Sequence, residues 1–165
     1  MANLNAVSEN TEKEQSSDIK KCKEACKEMF DRIVSHILEG GNQEAHKMEE
    51  SIFRKVMELG NLLLQLYFAS HHESNYGETI ETAQGTAERG RTSEKTYFSI
   101  FSKLKVVRYL YHIGDMSFAP LDIALNLPVR CYSYFLSECA NLLNINGSYE
   151  KASELLKKFF GLNLY

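Results

Sequence analysis

The stretch TYFSIFSKLKVVRYLY, residues 96–111, changes side-chain character at every second position. Tyr97, Ser99 and Phe101 alternate with Phe98 and Ile100, and Val106, Arg108 and Leu110 alternate with Val107, Tyr109 and Tyr111. A period of two in β-branched and aromatic residues is the mark of a strand, whose successive side chains point to opposite faces. The polar pair Ser102-Lys103 interrupts it, so the stretch reads as a β-hairpin with one packed face and one basic, partly exposed face. The ordered segments on either side read as helices. The expected fold class is therefore α+β, mainly helical, with one antiparallel β-hairpin.

Upstream of the hairpin, residues 71–95 contain three glycines, many polar residues and no period. They read as a flexible loop, 77–95, following a helical region, 18–76. Within that region Ile19, Cys22, Cys26, Met29, Ile33, Val34 and Ile37 recur at three- and four-residue spacing. That pattern gives an amphipathic helix over 18–39, with Asp18 as its N-cap and Gly40-Gly41 as its stop. A second helix runs from about Glu44 to Ser70. Its apolar stripe widens into LLLQLYF, which implies burial on more than one side, and Gly60 within it suits a close backbone approach. Residues 1–17 are polar and charged, with too little apolar content to offset the entropy of ordering, and read as a disordered tail.

Downstream, the chain turns at Gly114-Asp115 and again at Pro120, and Leu121, Ile123, Leu125 and Leu127 are expected to pin the segment to the core. Pro128 opens a helix over 129–143, with Cys131, Phe135, Cys139, Leu142 and Leu143 inward. A turn at Asn146-Gly147 follows. Ser148 caps a last helix over 149–160, with Ala152, Leu155, Leu156, Phe159 and Phe160 inward and Gly161 as its stop. Residues 96–165 thus form a hairpin plus a helix pair, expected to pack on the long helix.

The chain has 165 residues and a net charge of −3. Residues 1–76 carry 9 basic against 13 acidic side chains, and residues 77–165 carry 10 against 9. The basic excess peaks at 89–111, where Arg89, Arg91, Lys95, Lys103, Lys105 and Arg108 face only Glu94. This tract is the best electrostatic candidate for contact with phosphate, and Lys151, Lys157 and Lys158 on the last helix join it. No run of eighteen apolar residues and no leader pattern is present, so a cytoplasmic protein with reduced cysteines is expected.

Several short runs form an ordered set: MELG at 57–60, SIF followed by a turn and Lys103, PLD-x-x-LNLP at 120–128, and YSY at 132–134. Together they resemble the amino-terminal region of Kra-group insertion-sequence transposases, over residues 48–165. The family places Gly in the hairpin turn where this chain has Ser102. Its members continue into a catalytic domain of RNase H-like fold, whose three acidic residues cut and rejoin DNA with two metal ions. No such residue can be assigned here, so the resemblance implies a truncated, non-catalytic part that needs no cofactor. It also implies DNA handling at insertion-sequence ends: the helix pair followed by GLNL resembles the start of a helix-turn-helix, whose second helix reads the major groove. The expected partners are DNA, another copy of the chain or a full-length transposase. The alternative is a helical interaction module that modulates such a transposase or another partner.

Other polar residues have simpler readings. Cys22 and Cys26, with His36 or His46 nearby, offer donors to zinc, but their spacing on a helix fits a packed apolar face better. His71-His72 sits where imidazole complements a helix C-terminus, and Asp122 reads as a turn or capping carboxylate.

Overall fold

The computed structural model describes residues 4–71, 76–145 and 148–160, with the side chains of residues 4–16, Ile145, Tyr149 and Phe159 left aside. The chain divides after Ser70 into two compact units.

The first unit is a helical hairpin. α1 spans Leu4–Glu39 and α2 spans Ala45–Ser70. The segment read as a tail is thus helical back to Leu4, and Asp18 lies inside α1, paired with Lys21 at 3.3 Å. No Gly or Pro occurs between Leu4 and Glu39, so the backbone can continue as helix even where few apolar residues exist to be buried. Cys22, Cys26, Met29, Ile33 and His36 share one face of α1; Cys26, Met29 and Ile33 are buried, and His36 Nε2 lies 2.7 Å from Ser51 Oγ of α2. The short connection at 40–44 makes the pair antiparallel.

The second unit is built on a four-stranded antiparallel sheet of order β1-β2-β3-β4. Its strands are β1, Thr79–Thr82; β2, Gly85–Phe98; β3, Lys103–Ile113; and β4, Met116–Phe118. The hairpin expected from the sequence is β2–β3, but the residues read as a flexible loop supply β1 and most of β2. Thr and Glu dominate them and only Ala87 is fully buried, so no hydrophobic alternation marks them as strand. The central turn occupies residues 99–102 rather than Ser102-Lys103. Ser99 holds it: its N–H donates to the Ser102 carbonyl at 3.0 Å, and its Oγ accepts from the N–H groups of Phe101 and Ser102 at 3.1 and 3.2 Å. No residue of this turn has positive φ, so Ser102 sits there without the strain that would call for glycine. The turn at Gly114-Asp115 is as expected, with Gly114 at φ +55 joining β3 to β4.

A bulge at Gly90-Arg91 sets two residues of β2 opposite Leu110 of β3. The buried side of β3 changes along its length. Near the central turn Leu104 and Val106 are buried on one face; past the bulge Tyr111 is buried on the other, with its hydroxyl donating to the Gly77 carbonyl at 2.8 Å. Bulges raise local twist, and here the bulge lies between the two packed ends of the sheet.

Pro120 is the first residue of α3, Pro120–Ala124, which packs on β3 through Leu121. Ile123 is 70% exposed, contrary to the alternation expected of 121–127, because a helical turn rotates it away from the sheet. Pro128 does not open the next helix. Residues 131–133 first pair with Phe98 in a parallel bridge: Phe98 N–H donates to the Cys131 carbonyl at 2.7 Å, and Ser133 N–H to the Phe98 carbonyl at 2.9 Å. α4 then spans Tyr134–Ile145 and α5 spans Tyr149–Phe160. Ser133 caps α4, its Oγ accepting from Leu136 N–H at 3.0 Å, and Ser148 caps α5 as expected. The later start of α4 changes which residues face in. Leu136, Ala140 and Leu143 pack with Leu156, Phe160 and Phe98, whereas Phe135 and Leu142 are exposed. The turn at Asn146-Gly147 and the segment from Gly161, expected to stop α5 and begin a helix-turn-helix, lie outside the described residues.

Candidate nucleic-acid interface

The basic tract lies on β2 and β3, so strand parity decides which cations can act together. Lys103, Lys105, Val107, Tyr109 and Tyr111 share one face of β3, and the register sets Arg89 beside Tyr111 on that face. Arg89 stacks its guanidinium 5.6 Å from the Tyr109 ring centre, and Lys103 sits 5.6 Å from the centre of Phe98. Arg91 projects from the bulge and is exposed. The one acid among them is Glu94, paired with Lys105 at 2.5 Å; both side chains are more than half exposed, which makes the pair weak and easily exchanged for another anion.

Lys95 and Arg108 lie on the opposite face, with Leu104 and Val106. Here α3 delivers Asp122, the third residue of its first turn. The Asp122 carboxylate accepts from Lys95 Nζ at 3.4 Å and from Arg108 Nη1, and the three side chains are 11%, 17% and 24% exposed for Lys95, Arg108 and Asp122. The sequence reads Asp122 as a turn or capping carboxylate; it lies in the first turn of α3, but its carboxylate is the counter-ion of Lys95 and Arg108 and fixes α3 on the sheet. Its signal was a lone acid between apolar residues in PLDIAL, separated in sequence from both of its partners.

The remaining candidates, Lys151, Lys157 and Lys158, are exposed on α5 and interspersed with Glu150 and Glu154. They form no ion pair among the described residues. The sequence candidates thus separate into four groups: the exposed end of one sheet face with Lys103 and Lys105, and the half-buried Arg89 further along it against Tyr109; Arg91, exposed at the bulge, which alternation from Thr92 turns to the opposite face; a largely buried clamp on that opposite face with Lys95 and Arg108; and the solvent side of α5.

Cys22 and Cys26 line the packed face of α1, and burial, with Cys22 adding to it, pushes the Cys26 thiol above its ordinary pKa. That disfavours the thiolate a metal would need. No group of three or more His, Cys, Asp or Glu side chains is arranged to hold a metal ion among the described residues. No helix among them is long and apolar enough to cross a membrane. His71 ends the first described stretch, and His72 lies outside the described residues.

No family model and no solved structure matches the chain. Among curated proteins, a mouse leucine-rich repeat and guanylate kinase domain-containing protein is 25% identical over 149 residues. The match covers 75% of this chain and 18% of that protein, so the chain spans less than a fifth of the relative's length. Similarity at this level places the chain in no family.

Proposed function

We propose that the chain is the amino-terminal, non-catalytic part of an insertion-sequence transposase, and that the exposed face of its sheet engages the DNA backbone. The observation that carries the reading is the segregation of cations across the sheet: Lys95 and Arg108 are neutralised by Asp122 on one face, while Lys103 and Lys105 are exposed on the other beside the exposed Glu94, and Arg91 is exposed at the bulge. A cluster of cations interleaved with Tyr109 suits contact with phosphate, and the affinity expected is independent of base sequence and sensitive to salt.

The motifs behind the family resemblance hold together the scaffold that carries this face. Ser99 in SIF holds the central turn, Asp122 in PLD holds α3 to the sheet, and Tyr132 and Ser133 in YSY bridge Phe98 and cap α4. Each fixes a joint of the scaffold. The test is a titration of a fluorescent random-sequence DNA duplex with the wild-type chain and with the triple variant Arg91→Ala, Lys103→Ala, Lys105→Ala. The variant is expected to bind on the order of tenfold more weakly at low salt. Equal affinity would overturn the reading.

A further inference from the structure

The helical hairpin exposes more apolar surface than its two helices cover for each other. On α1, Phe30 is 56% exposed, Val34 38% and Ile37 44%; on α2, Phe53 is 40%, Val56 47%, Leu63 50% and Tyr67 44% exposed. By helical spacing each stripe lies about a quarter turn from the centre of its helix's packed strip, Cys26, Met29 and Ile33 on α1 and the half-buried Met48, Ile52, Leu59, Leu62 and Leu66 on α2, rotated in the same sense on both helices. Because the helices run antiparallel, equal rotations bring both stripes to the same side of the hairpin. The α2 stripe is Phe53, Val56, Gly60, Leu63 and Tyr67, spaced 3-4-3-4 about its glycine.

We propose that this side docks a second copy of the chain, the two hairpins packing into a four-helix bundle in which α2 runs antiparallel to the partner's α2 and crosses it at Gly60. The stripe reads nearly the same from either end: aromatic, Val, Gly, Leu, aromatic. Antiparallel pairing sets Phe53 against Tyr67 and Val56 against Leu63 twice over, which is the self-complementarity a two-fold interface requires. Each copy also presents both halves of the contact. Near the interhelical loop is an open apolar groove lined by Ala45, Met48, Glu49, Ile52, Phe53 and Val56; residues 59–70, at the other end of α2, contain no charged side chain. Antiparallel pairing lays the uncharged end of each copy in the groove of the other, whereas parallel pairing would set Glu49 beside its own equivalent.

The size is also adequate. With a large side chain at roughly 150–200 Å², the observed exposures amount to about 500 Å² of apolar surface per copy. About 1,000 Å² would be buried in total, which reaches the lower limit for a biological interface.

The proposal goes beyond the DNA reading and does not rest on it, so its test contains no DNA. Sedimentation equilibrium of the full chain should give twice the monomer mass of 18.9 kDa. The double variant Leu63→Glu, Tyr67→Glu should weaken dimerisation by at least a hundredfold while keeping its far-ultraviolet helical signal. A wild-type chain that is monomeric at about 200 µM, or forms open higher assemblies, would overturn the proposal, as would a folded variant that still dimerises. If the variant loses helix, single variants Val56→Cys and Leu63→Cys are mixed and oxidised, and the products mapped by mass spectrometry. Cross-links between position 56 of one copy and 63 of the other are expected. Only 56–56 and 63–63 links would overturn it, because in the antiparallel register like positions are too far apart to bridge.

Discussion

At the scale of single residues, Asp122 does the most for the second unit. Replacing it by Asn keeps its size but leaves Lys95 and Arg108 with little solvent and no counter-charge. The cost expected for Asp122→Asn is roughly 2–4 kcal/mol, near the range for breaking a buried pair. Lys105→Ala removes an exposed pair and should change stability by less than about 1 kcal/mol. Urea unfolding of the two variants checks the contrast, and equal effects would mean that the clamp does not hold α3. Tyr111 carries a pH signature. Burial pushes its hydroxyl above the ordinary tyrosine value of 10.0, so the neutral phenol is favoured more in the folded than in the unfolded chain. Its contribution is intact below about pH 10 and is lost as pH rises through the elevated folded value. Tyr111→Phe should cost about 1 kcal/mol near neutral pH through loss of the hydrogen bond to Gly77, and should flatten the fall in stability above about pH 10. Urea melts of both proteins across that range would reveal it; parallel curves would rule it out.

At the scale of elements, local signals were legible where a residue's chemistry acts on its own neighbourhood. Ser148 as a cap, the Gly114-Asp115 turn and the amphipathic α2 needed nothing from elsewhere in the chain. β1 and the first half of β2 are not legible in the sequence, because their Thr and Glu side chains are largely exposed and their order comes from pairing with each other and, through β2, with β3 rather than from burial. α4 was misplaced for a related reason. Pro128 is a good first helical residue, yet residues 131–133 are held extended by hydrogen bonds to Phe98, a partner more than thirty positions away, and the helix waits for the next available cap, Ser133. Ser133→Ala should therefore cost about 1 kcal/mol and fray the first turn of α4. Gly114→Ala should cost roughly 1–2 kcal/mol, since its φ of +55 puts an added Cβ in the left-handed region. Thermal melts followed by circular dichroism measure both, and a neutral result at either position would contradict the geometry given for it.

At the scale of the whole molecule, charge excess marked residues 89–111 as a candidate phosphate-binding tract, but composition alone could not divide it. Strand parity and a single carboxylate on α3 do so. They withdraw Lys95 and Arg108 from the surface and leave Lys103 and Lys105 exposed on the other face, with Arg91 exposed at the bulge. The apolar stripe of α2 was read in the sequence as burial on more than one side; the structure covers one side through α1 and leaves the other to solvent. The proposed DNA contact is tested most directly by the affinity of the wild-type chain for a random-sequence duplex measured across a range of salt concentrations, beside the Arg91, Lys103 and Lys105 triple variant. Each phosphate contact contributes about 0.9 to the slope of log affinity against log salt, so the wild-type slope should be steep and the variant's shallower by about 2–3. A wild-type affinity that does not respond to salt, or a slope the triple variant leaves unchanged, would contradict the assignment of this face to DNA.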